Sequence, residues 1–440
     1  MPAQDAFYTL PDSLLSFILS KIPIKDAVKS SILSRRWRFL YTQMPELTFS
    51  PNLVLGLSCS SLDQLLISSV ENIISNILLL HSGNLEAFHL HSTWLDHTQQ
   101  RHFSRQNVCK WVRYASWCNV QHLTLFDHNL TFAAELHSAL KEIPPAALFS
   151  CSCLVTLHLG RYDLTSFPIN FVGFPHLITC HLRNVQLTDE SLVSLISRCP
   201  LLQKLEIIGY AGLGNVKIFS STIEHLSIEN VKSLSVNCPK LKILKGYMIE
   251  DSSVNGVRFY ELSYAVCYLE MHCGGTLRML NMDFSLGYSP GVVSASRFLH
   301  IMGNFRTLKG LAIYLGRPFE RGAEMDVPLL NLLHMLPNLQ WLRIGGSFVQ
   351  ELARDPIPVC LTSPHVDLKR IQVEVLEFDD KEIAIISCLL QSMPFLERME
   401  IQLPDEYDEV QCMYFFKDIL YLRRASLLAR ITIRDGLHEM

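Results

Sequence analysis

The sequence predicts an α/β fold in which a short helical segment precedes an irregular solenoid of repeated units. Parallel strands would line the concave side, with helices or turns outside. Three short helical patterns occupy residues 10–41, each begun or ended by proline or a capping residue. From residue 85 onward the pattern Leu-x-x-Leu-x-Leu recurs, which is typical of stacked strand units. Hydrophobic residues make up 49% of the 440 and charged residues 18%, so the chain is expected to fold.

The first helical pattern begins at Pro11 and Asp12, since a fixed φ and a short acceptor both suit a first turn. Pro23 ends it, Asp26 is predicted to cap a second helix, and Ser34 a third. Helices this short cannot bury all their apolar surface, so part of it must meet another protein or the rest of the chain. One face of the first helix is predicted to carry Leu14, Leu15, Ile18, Leu19 and Ile22.

From this pattern alone, an ordinary helical hairpin within a larger core remains an alternative. The segment also resembles the F-box of plant F-box/leucine-rich-repeat proteins, and residues 1–50 are assigned to it. The residues that carry the resemblance are Leu10-Pro11-Asp12, Leu14, Ile18, Leu19, Ile22-Pro23, Lys25-Asp26-Ala27-Val28, Leu33-Ser34 and Arg35-Arg36-Trp37-Arg38.

The resemblance implies that the segment docks on a Skp-type adaptor, and through it on a cullin. The residues expected to form or support the adaptor-binding face, without a division between the two roles, are Leu10, Pro11, Leu14, Ile18, Leu19, Ile22, Pro23, Val28, Leu33 and Trp37.

Residues 51–84 are predicted to connect this unit to the repeats. The sequence indicates a short extended segment over 44–49, then a loop and an amphipathic helix bearing Leu62, Leu65, Leu66, Val70 and Ile73. No Gly/Ser-rich linker follows, so the F-box is expected to dock rigidly on the next domain.

Residues 85–365 are assigned to a solenoid of leucine-rich repeats. The mean period is ~28 residues, within the leucine-rich-repeat range, and extra loops are expected where successive units lie far apart. Several units open with Pro-x-Leu, and a helical pattern precedes Pro200, Pro337 and Pro394. The pattern therefore predicts a helix, a proline and a strand in each unit. Stacking of neighbouring units would bury the apolar surface that a single unit leaves exposed. The units begin at Leu85, Val120, Leu154, Leu177, Leu202, Ile223, Leu241, Leu277, Leu308, Leu339, Leu368 and Leu396.

Side chains between the apolar strand positions are expected to face the concave side. These residues are mixed in charge and indicate no basic stripe. The candidate substrate-binding residues are His158, His181, Glu206, Trp341 and Arg343. For any one of them, a solvated surface position without a partner is the more ordinary interpretation.

Residues 366–440 resemble the FBD region that often closes plant F-box/leucine-rich-repeat chains. The carrying stretches are residues 368–373, 381–383, 393–401, a helix with Val410, Met413, Tyr414, Lys417 and Leu420, Arg423-Arg424-Ala425-Ser426 and a strand over 429–433. This region is expected to cap the open end of the sheet.

Motifs for catalysis or cofactor binding are missing from the sequence. There is no phosphate-binding glycine loop and no Gly-x-Ser-x-Gly elbow, so no cofactor, metal or catalytic residue is predicted. Cys151 and Cys153 lack a second pair at zinc spacing, and the histidines at 89, 91, 97 and 102 fit no ligand set.

The charge and the cysteine content limit the possible partners and the cellular compartment. A formal net charge of −4 gives no electrostatic footprint for nucleic acid. The 13 scattered cysteines indicate a reducing compartment. Neither a signal peptide nor a membrane span is indicated. Cytoplasm and/or nucleus is the expected location.

The resemblance implies a substrate receptor of a cullin-RING ubiquitin ligase, not itself an enzyme, which binds a protein substrate through its solenoid. A scaffold that recruits no ligase is one alternative. A small-molecule sensor is another, since some relatives hold a hormone or an inositol phosphate. A phosphate site would need clustered Lys and Arg, whereas Lys204, Arg343 and Arg370 belong to distant units.

Overall fold

The computed structural model forms two compact units, Met1–Leu213 and Gly214–Met440. The residues that it describes are 7, 9–50, 63–91, 103–126, 143–209, 211–254, 257–258, 268–273, 277–283, 305–315, 333, 335–352, 367–404 and 407–434. The side chains of Leu62, Leu65 and Leu66, the histidines at 97 and 102, and most of the helix predicted before Pro337 lie outside them.

Unit 1 opens with helices α1 (Asp12–Leu19) and α2 (Ile24–Lys29), followed by a 3₁₀ helix, Trp37–Gln43. The prediction that Asp26 caps the second helix is wrong. Pro23 is the N-cap and Asp26 lies in the first turn, where its charge favours the positive helix end. Ser34 accepts a 3.4 Å bond from the backbone N–H of Trp37, at the predicted start of the third helix.

A parallel sheet forms the body of unit 1. Its strands pair in chain order, and burial alternates along them, so one face is covered and the other is half-exposed. These strands are β1 (Glu46–Phe49), β2 (Ala87–His91), β3 (His122–Phe126), β4 (Thr156–Gly160), β5 (Thr179–Arg183) and β6 (Lys204–Ile208). The solenoid-like strand repeat predicted from the sequence is therefore confirmed in this unit.

The helices of unit 1 are α3 (Asp63–Leu80), α4 (Arg105–Trp117) and α5 (Asp189–Ser197). Helix α5 ends just before Pro200, and the residues predicted for its apolar face, Leu192, Leu195 and Ile196, are buried. Helix α4 was not predicted, because its hydrophobic positions are separated by charged residues and lie between two repeats.

Unit 2 continues the strand pattern with one interruption. Strands β7 (Asn215–Phe219), β8 (His225–Asn237) and β9 (Ile243–Val254) are parallel, and β10 (Val257–Arg258) turns back on β9. The next two strands are β11 (Tyr268–Cys273) and β12 (Leu277–Asp283), and β11 is antiparallel to both β9 and β12. The sequence predicted extra loops at such a long step. The 36-residue step from Leu241 to Leu277 contains a whole returning strand, β11.

The second half of unit 2 is again parallel and in register from β12 onward. Its further strands are β13 (Gly310–Leu315), β14 (Trp341–Gly346), β15 (Arg370–Glu374), β16 (Arg398–Gln402) and β17 (Arg430–Arg434). Its described helices are α6 (Ser347–Leu352), α7 (Asp380–Ser392) and α8 (Glu409–Leu420). Helix α7 ends before Pro394, as predicted. Among the described helices, none combines the length and hydrophobicity needed to cross a membrane.

Candidate protein-binding surfaces

Helix α1 is apolar on two sides. Leu15 and Leu19 are 0% and 3% exposed and pack inside unit 1, whereas Leu14 and Ile18 are 48% and 40% exposed. The predicted apolar face spans about 140° of the helix, because successive residues lie 100° apart. The structure buries only one edge of this face, at Leu15 and Leu19, and leaves the edge with Leu14 and Ile18 exposed. One side secures the helix to the unit and the other leaves apolar surface in water.

The exposed side of α1 belongs to a group of large apolar side chains on the described N-terminal segment. An isolated exposed apolar residue is ordinary, but this density in one short segment is typical of an interaction surface. The group comprises Phe7, Leu14, Phe17, Ile18, Ile22, Ile32, Leu33 and Phe39, and we call it the apolar N-terminal set.

The structure separates the residues predicted for the adaptor-binding face into exposed and supporting positions. Leu19 is buried in the core. Leu10, Val28 and Trp37 are half-buried, and Leu14, Ile18, Ile22, Leu33, Pro11 and Pro23 are exposed. Sequence reasoning missed Phe7, Phe17, Ile32 and Phe39. Phe17 lies three residues beyond Leu14 and one before Ile18, so its helical position was the available signal.

Arg36 holds the chain that leads into α1. Its guanidinium pairs with the Asp12 carboxylate at 2.7 Å and donates hydrogen bonds to the carbonyl oxygens of Leu10 and of Phe7 (3.2 Å). The rings of Phe7 and Trp37 pack edge to face at 6.1 Å. These contacts fix the start of the helix that presents Leu14 and Ile18.

The half-exposed strand face of unit 1 brings together three of the predicted substrate-binding residues. His158, His181 and Glu206 occupy the same register position on β4, β5 and β6. The centroids of the two imidazole rings lie 4.3 Å apart. His181 Nδ1 pairs with a carboxylate oxygen of Glu206. The other oxygen lies 2.8 Å from Lys204 Nζ.

This arrangement shifts two pKa values. The hydrogen bond from His181, assisted by Lys204, lowers the pKa of Glu206 to about 2. Burial, together with the neighbouring His181 and His89, lowers the pKa of His158 to about 4. His158 is therefore neutral at physiological pH, and the carboxylate of Glu206 is charged.

The remaining two candidates, Trp341 and Arg343, lie on β14 in unit 2 and share one strand face. Arg343 contacts the side chains of Glu374 at 4.0 Å and Gln402 at 3.4 Å. These two residues thus belong to a surface of their own unit.

The sequence-based expectation of no basic stripe is wrong in unit 2. Arg370, Arg398 and Arg430 occupy directly opposed register positions on β15, β16 and β17. They are about 30 residues apart in the chain, but parallel registered strands bring them to the ~4.8 Å strand spacing. The repeat pattern did not reveal this row, because it did not assign Arg398 and Arg430 to the exposed strand face.

Most of the described cysteines are buried. Burial raises the pKa of Cys151 to about 11 and also raises that of Cys180, so neither is a ready nucleophile at neutral pH. Within the described residues, no three His, Cys, Asp or Glu side chains come together as a metal-ligand set.

Comparison with known proteins agrees with the N-terminal helices and the strand repeats. Residues 7–40 match the F-box domain, and residues 108–260 match the family described as "FBD-associated F-box protein At5g56370, LRR repeats". The chain therefore carries an N-terminal F-box followed by leucine-rich repeats.

Relatives of this F-box protein come from Arabidopsis thaliana, and two of them align over more than nine tenths of their length. The F-box/FBD/LRR-repeat protein At1g13570 is 27% identical over 91% of each chain. The FBD-associated F-box protein At5g22730 is 25% identical over 98% of this chain and 95% of the relative. The putative F-box/FBD/LRR-repeat protein At5g22670 is 30% identical over 47% of this chain and 41% of its own. F-box domains in general bind Skp1-type adaptors, and proteins of this family are typically non-catalytic.

Proposed function

We propose that this F-box protein is the substrate-recognition subunit of a Skp-cullin-F-box ubiquitin ligase, acting in the cytoplasm or nucleus. The apolar N-terminal set binds the Skp-type adaptor, and the strand faces bind a protein substrate. The observation that carries the proposal is helix α1, whose inner side is buried in unit 1 while Leu14, Phe17 and Ile18 on its outer side remain in water.

A subunit of this kind forms and breaks no bond. It raises the effective concentration of a substrate lysine near the charged conjugating enzyme, because both are held in one assembly. The chain needs two separate surfaces for this, one for the adaptor and one for the substrate. The adaptor in turn provides the link to the cullin.

The decisive experiment is co-expression of the full chain with a plant Skp1-type adaptor, followed by size-exclusion chromatography. We expect a stable one-to-one complex. Leu14→Asp combined with Ile18→Asp should weaken it about 100-fold or more, because two apolar contacts would be replaced by carboxylates that must be desolvated. Both side chains are exposed in the structure, so the fold should survive.

The matched control is Ile169→Asp combined with Val193→Asp. These two residues are also exposed and lie in the same unit, so the control carries the same added charge away from the F-box. It should leave the complex intact, and circular dichroism should show both variants folded. Undiminished co-elution of the Leu14/Ile18 variant would refute the adaptor site. Separate peaks for the wild-type chain and the adaptor would favour the scaffold alternative.

A further inference from the structure

One row of strand positions in unit 2 combines an apolar end with a basic end. Registered pairs connect its members from β12 to β17. We call it the Trp-Arg row, and it consists of Met279, Gly310, Trp341, Arg370, Arg398 and Arg430.

The basic end of the row is poorly compensated within the unit. Like charges that face one another on neighbouring strands destabilise a sheet, and here three arginines are adjacent. Arg398 reaches Glu400 at 3.3 Å, but that carboxylate also pairs with Arg434 at 2.6 Å. In the described part of unit 2, Arg370 and Arg430 have no ion-pair partner, and both are exposed. An external anion would relieve this repulsion.

The apolar end depends on Gly310. A Cβ at this position would lie 3.0 Å from Met279 Cγ and 3.1 Å from Trp341 Cε3. The absence of a side chain therefore lets the methionine and the indole approach from both sides. An open pocket of about 410 Å³ lies here, lined by Met279, Lys309, Gly310, Gln340, Trp341, Lys369 and Arg370.

We infer that the Trp-Arg row binds a short acidic segment of the protein substrate, with one large apolar side chain in the pocket beside Trp341. The inference rests on the proposed function and names the chemical class of its substrate. Carboxylates match the arginine row, because guanidinium and carboxylate form charge-assisted hydrogen bonds. Trp and Arg are also the residue types that contribute most to protein interfaces.

The dimensions of the row fit a peptide. Five strand spacings of ~4.8 Å give a length of about 24 Å, which about seven extended residues would cover. A compact polyanion such as an inositol phosphate would engage the basic side chains but span only part of the row, and it has no apolar group to contact Met279 and Trp341. Nucleic acid is disfavoured because the formal net charge of the chain is −4.

The test is fluorescence anisotropy on the full chain with labelled seven-residue peptides. The probe carries one phenylalanine at one end and otherwise glutamate and glycine, and it is made in both orientations. A control peptide replaces every glutamate with glutamine. We expect the glutamate peptide to bind at least about tenfold more tightly than the glutamine peptide, with affinity that falls as salt rises.

Arg370→Glu combined with Arg430→Glu should weaken binding about tenfold or more, since two attractions become repulsions. Its matched control, Lys240→Glu combined with Lys417→Glu, makes the same change in net charge at exposed positions of the same unit and should bind like the wild type. Trp341→Ala should also weaken binding of the glutamate peptide, because the pocket for its phenylalanine would lose the indole ring.

Three outcomes would overturn the inference. One is unchanged binding by a folded Arg370/Arg430 variant. Another is tighter binding of inositol hexakisphosphate or single-stranded DNA than of either peptide, at the same salt. The third is equal binding of glutamate and glutamine peptides. The adaptor complex is measured separately on the same variants. If it persists while the peptide fails, the substrate class is wrong; if it never forms, the ligase role is wrong.

Discussion

At the scale of single residues, unit 1 shows how one strand face gives histidines different roles. His181 donates to the Glu206 carboxylate, whereas His158 is half-buried beside another imidazole and keeps a pKa of about 4. His89 accepts or donates a 2.7 Å bond with Thr124, and burial lowers its pKa. A histidine on this face therefore does not by itself indicate a cation at physiological pH.

The low pKa of His158 predicts that acid weakens unit 1. Its folded-state value lies below the ordinary 6.5, so between these values the unfolded chain binds more protons. Stability is then lost as pH falls from about 6.5 towards 4. His158→Gln should remove part of this loss, of the order of 1 kcal/mol at pH 5 after solvent screening.

Urea denaturation at pH 7.5 and pH 5, on wild type and His158→Gln, measures the difference. A ¹³C-histidine NMR titration supplies the direct check, because the signal missing from the variant should titrate near pH 4. A midpoint near 6.5 for that signal would contradict the prediction, whatever the denaturation curves show.

At the scale of elements, the strand of each repeat was predictable because the alternating apolar residues of Leu-x-x-Leu-x-Leu are the ones that the strand buries. Leu157 and Leu159 are buried on β4, and Ile371 and Val373 are buried on β15. The helices before Pro200 and Pro394 were predictable for the same reason, since their apolar spacing ends at a proline.

Other features depend on contacts that no single unit contains. β11 runs antiparallel between β9 and β12, and only pairing with both neighbours makes it a strand. Leu14 and Leu15 are chemically alike, yet one is exposed and the other is buried. The arginine row exists only because three repeats are in register. The strands were therefore predictable, but not which residues meet on their surfaces.

The connection between β15 and α7 illustrates an element held by one buried carboxylate. Glu382 accepts backbone N–H bonds from Leu376 (2.7 Å), Glu377 (3.3 Å) and Phe378 (2.8 Å). Phe378 has a positive φ of 55°, which a non-glycine residue adopts at a cost. The carboxylate thus accepts from three backbone N–H groups of the loop that would otherwise lack this acceptor.

Glu382→Gln should lower the free energy of unfolding by about 1–3 kcal/mol, because the amide group would present N–H donors to a backbone N–H. Urea denaturation followed by circular dichroism measures this. The control is Glu377→Gln, which makes the same chemical change at an exposed side chain within the loop and should cost less than about 0.5 kcal/mol. Equal curves for the two variants would contradict the role of Glu382.

At the scale of the whole molecule, the proposed adaptor surface and the proposed peptide-binding row belong to different compact units. Unit 1 holds the F-box, and its attachment to the first repeats is extensive. β1 pairs with β2 in parallel, and Lys21 pairs with Glu46 at 2.6 Å. Gly83 passes so close to the backbone of Gln43 that a Cβ would lie 2.7 Å from its Cα. These contacts support the expectation that the F-box is held firmly by the repeats.

His81 lies at the centre of this attachment. Its Nε2–H donates to the carbonyl of Met44 at 2.9 Å, which leaves Nδ1 to accept from the hydroxyl of Tyr114 at 3.0 Å. Burial lowers the pKa of His81, so this neutral tautomer persists at physiological pH. One side chain therefore joins the end of the F-box to helix α4.

His81→Leu should loosen the attachment while leaving the repeats folded, because it keeps the apolar bulk, leaves the carbonyl of Met44 without the imidazole donor and removes the 3.0 Å partner of the Tyr114 hydroxyl. We expect a local loss of about 2–3 kcal/mol, seen as faster hydrogen exchange in peptides that cover residues 40–49. Tyr114→Phe, which retains the bond to Met44, should show a smaller increase. If exchange over 40–49 stays at the wild-type rate in His81→Leu, the F-box is held by β1 and its neighbours alone. The F-box would then keep its orientation towards the adaptor without the histidine.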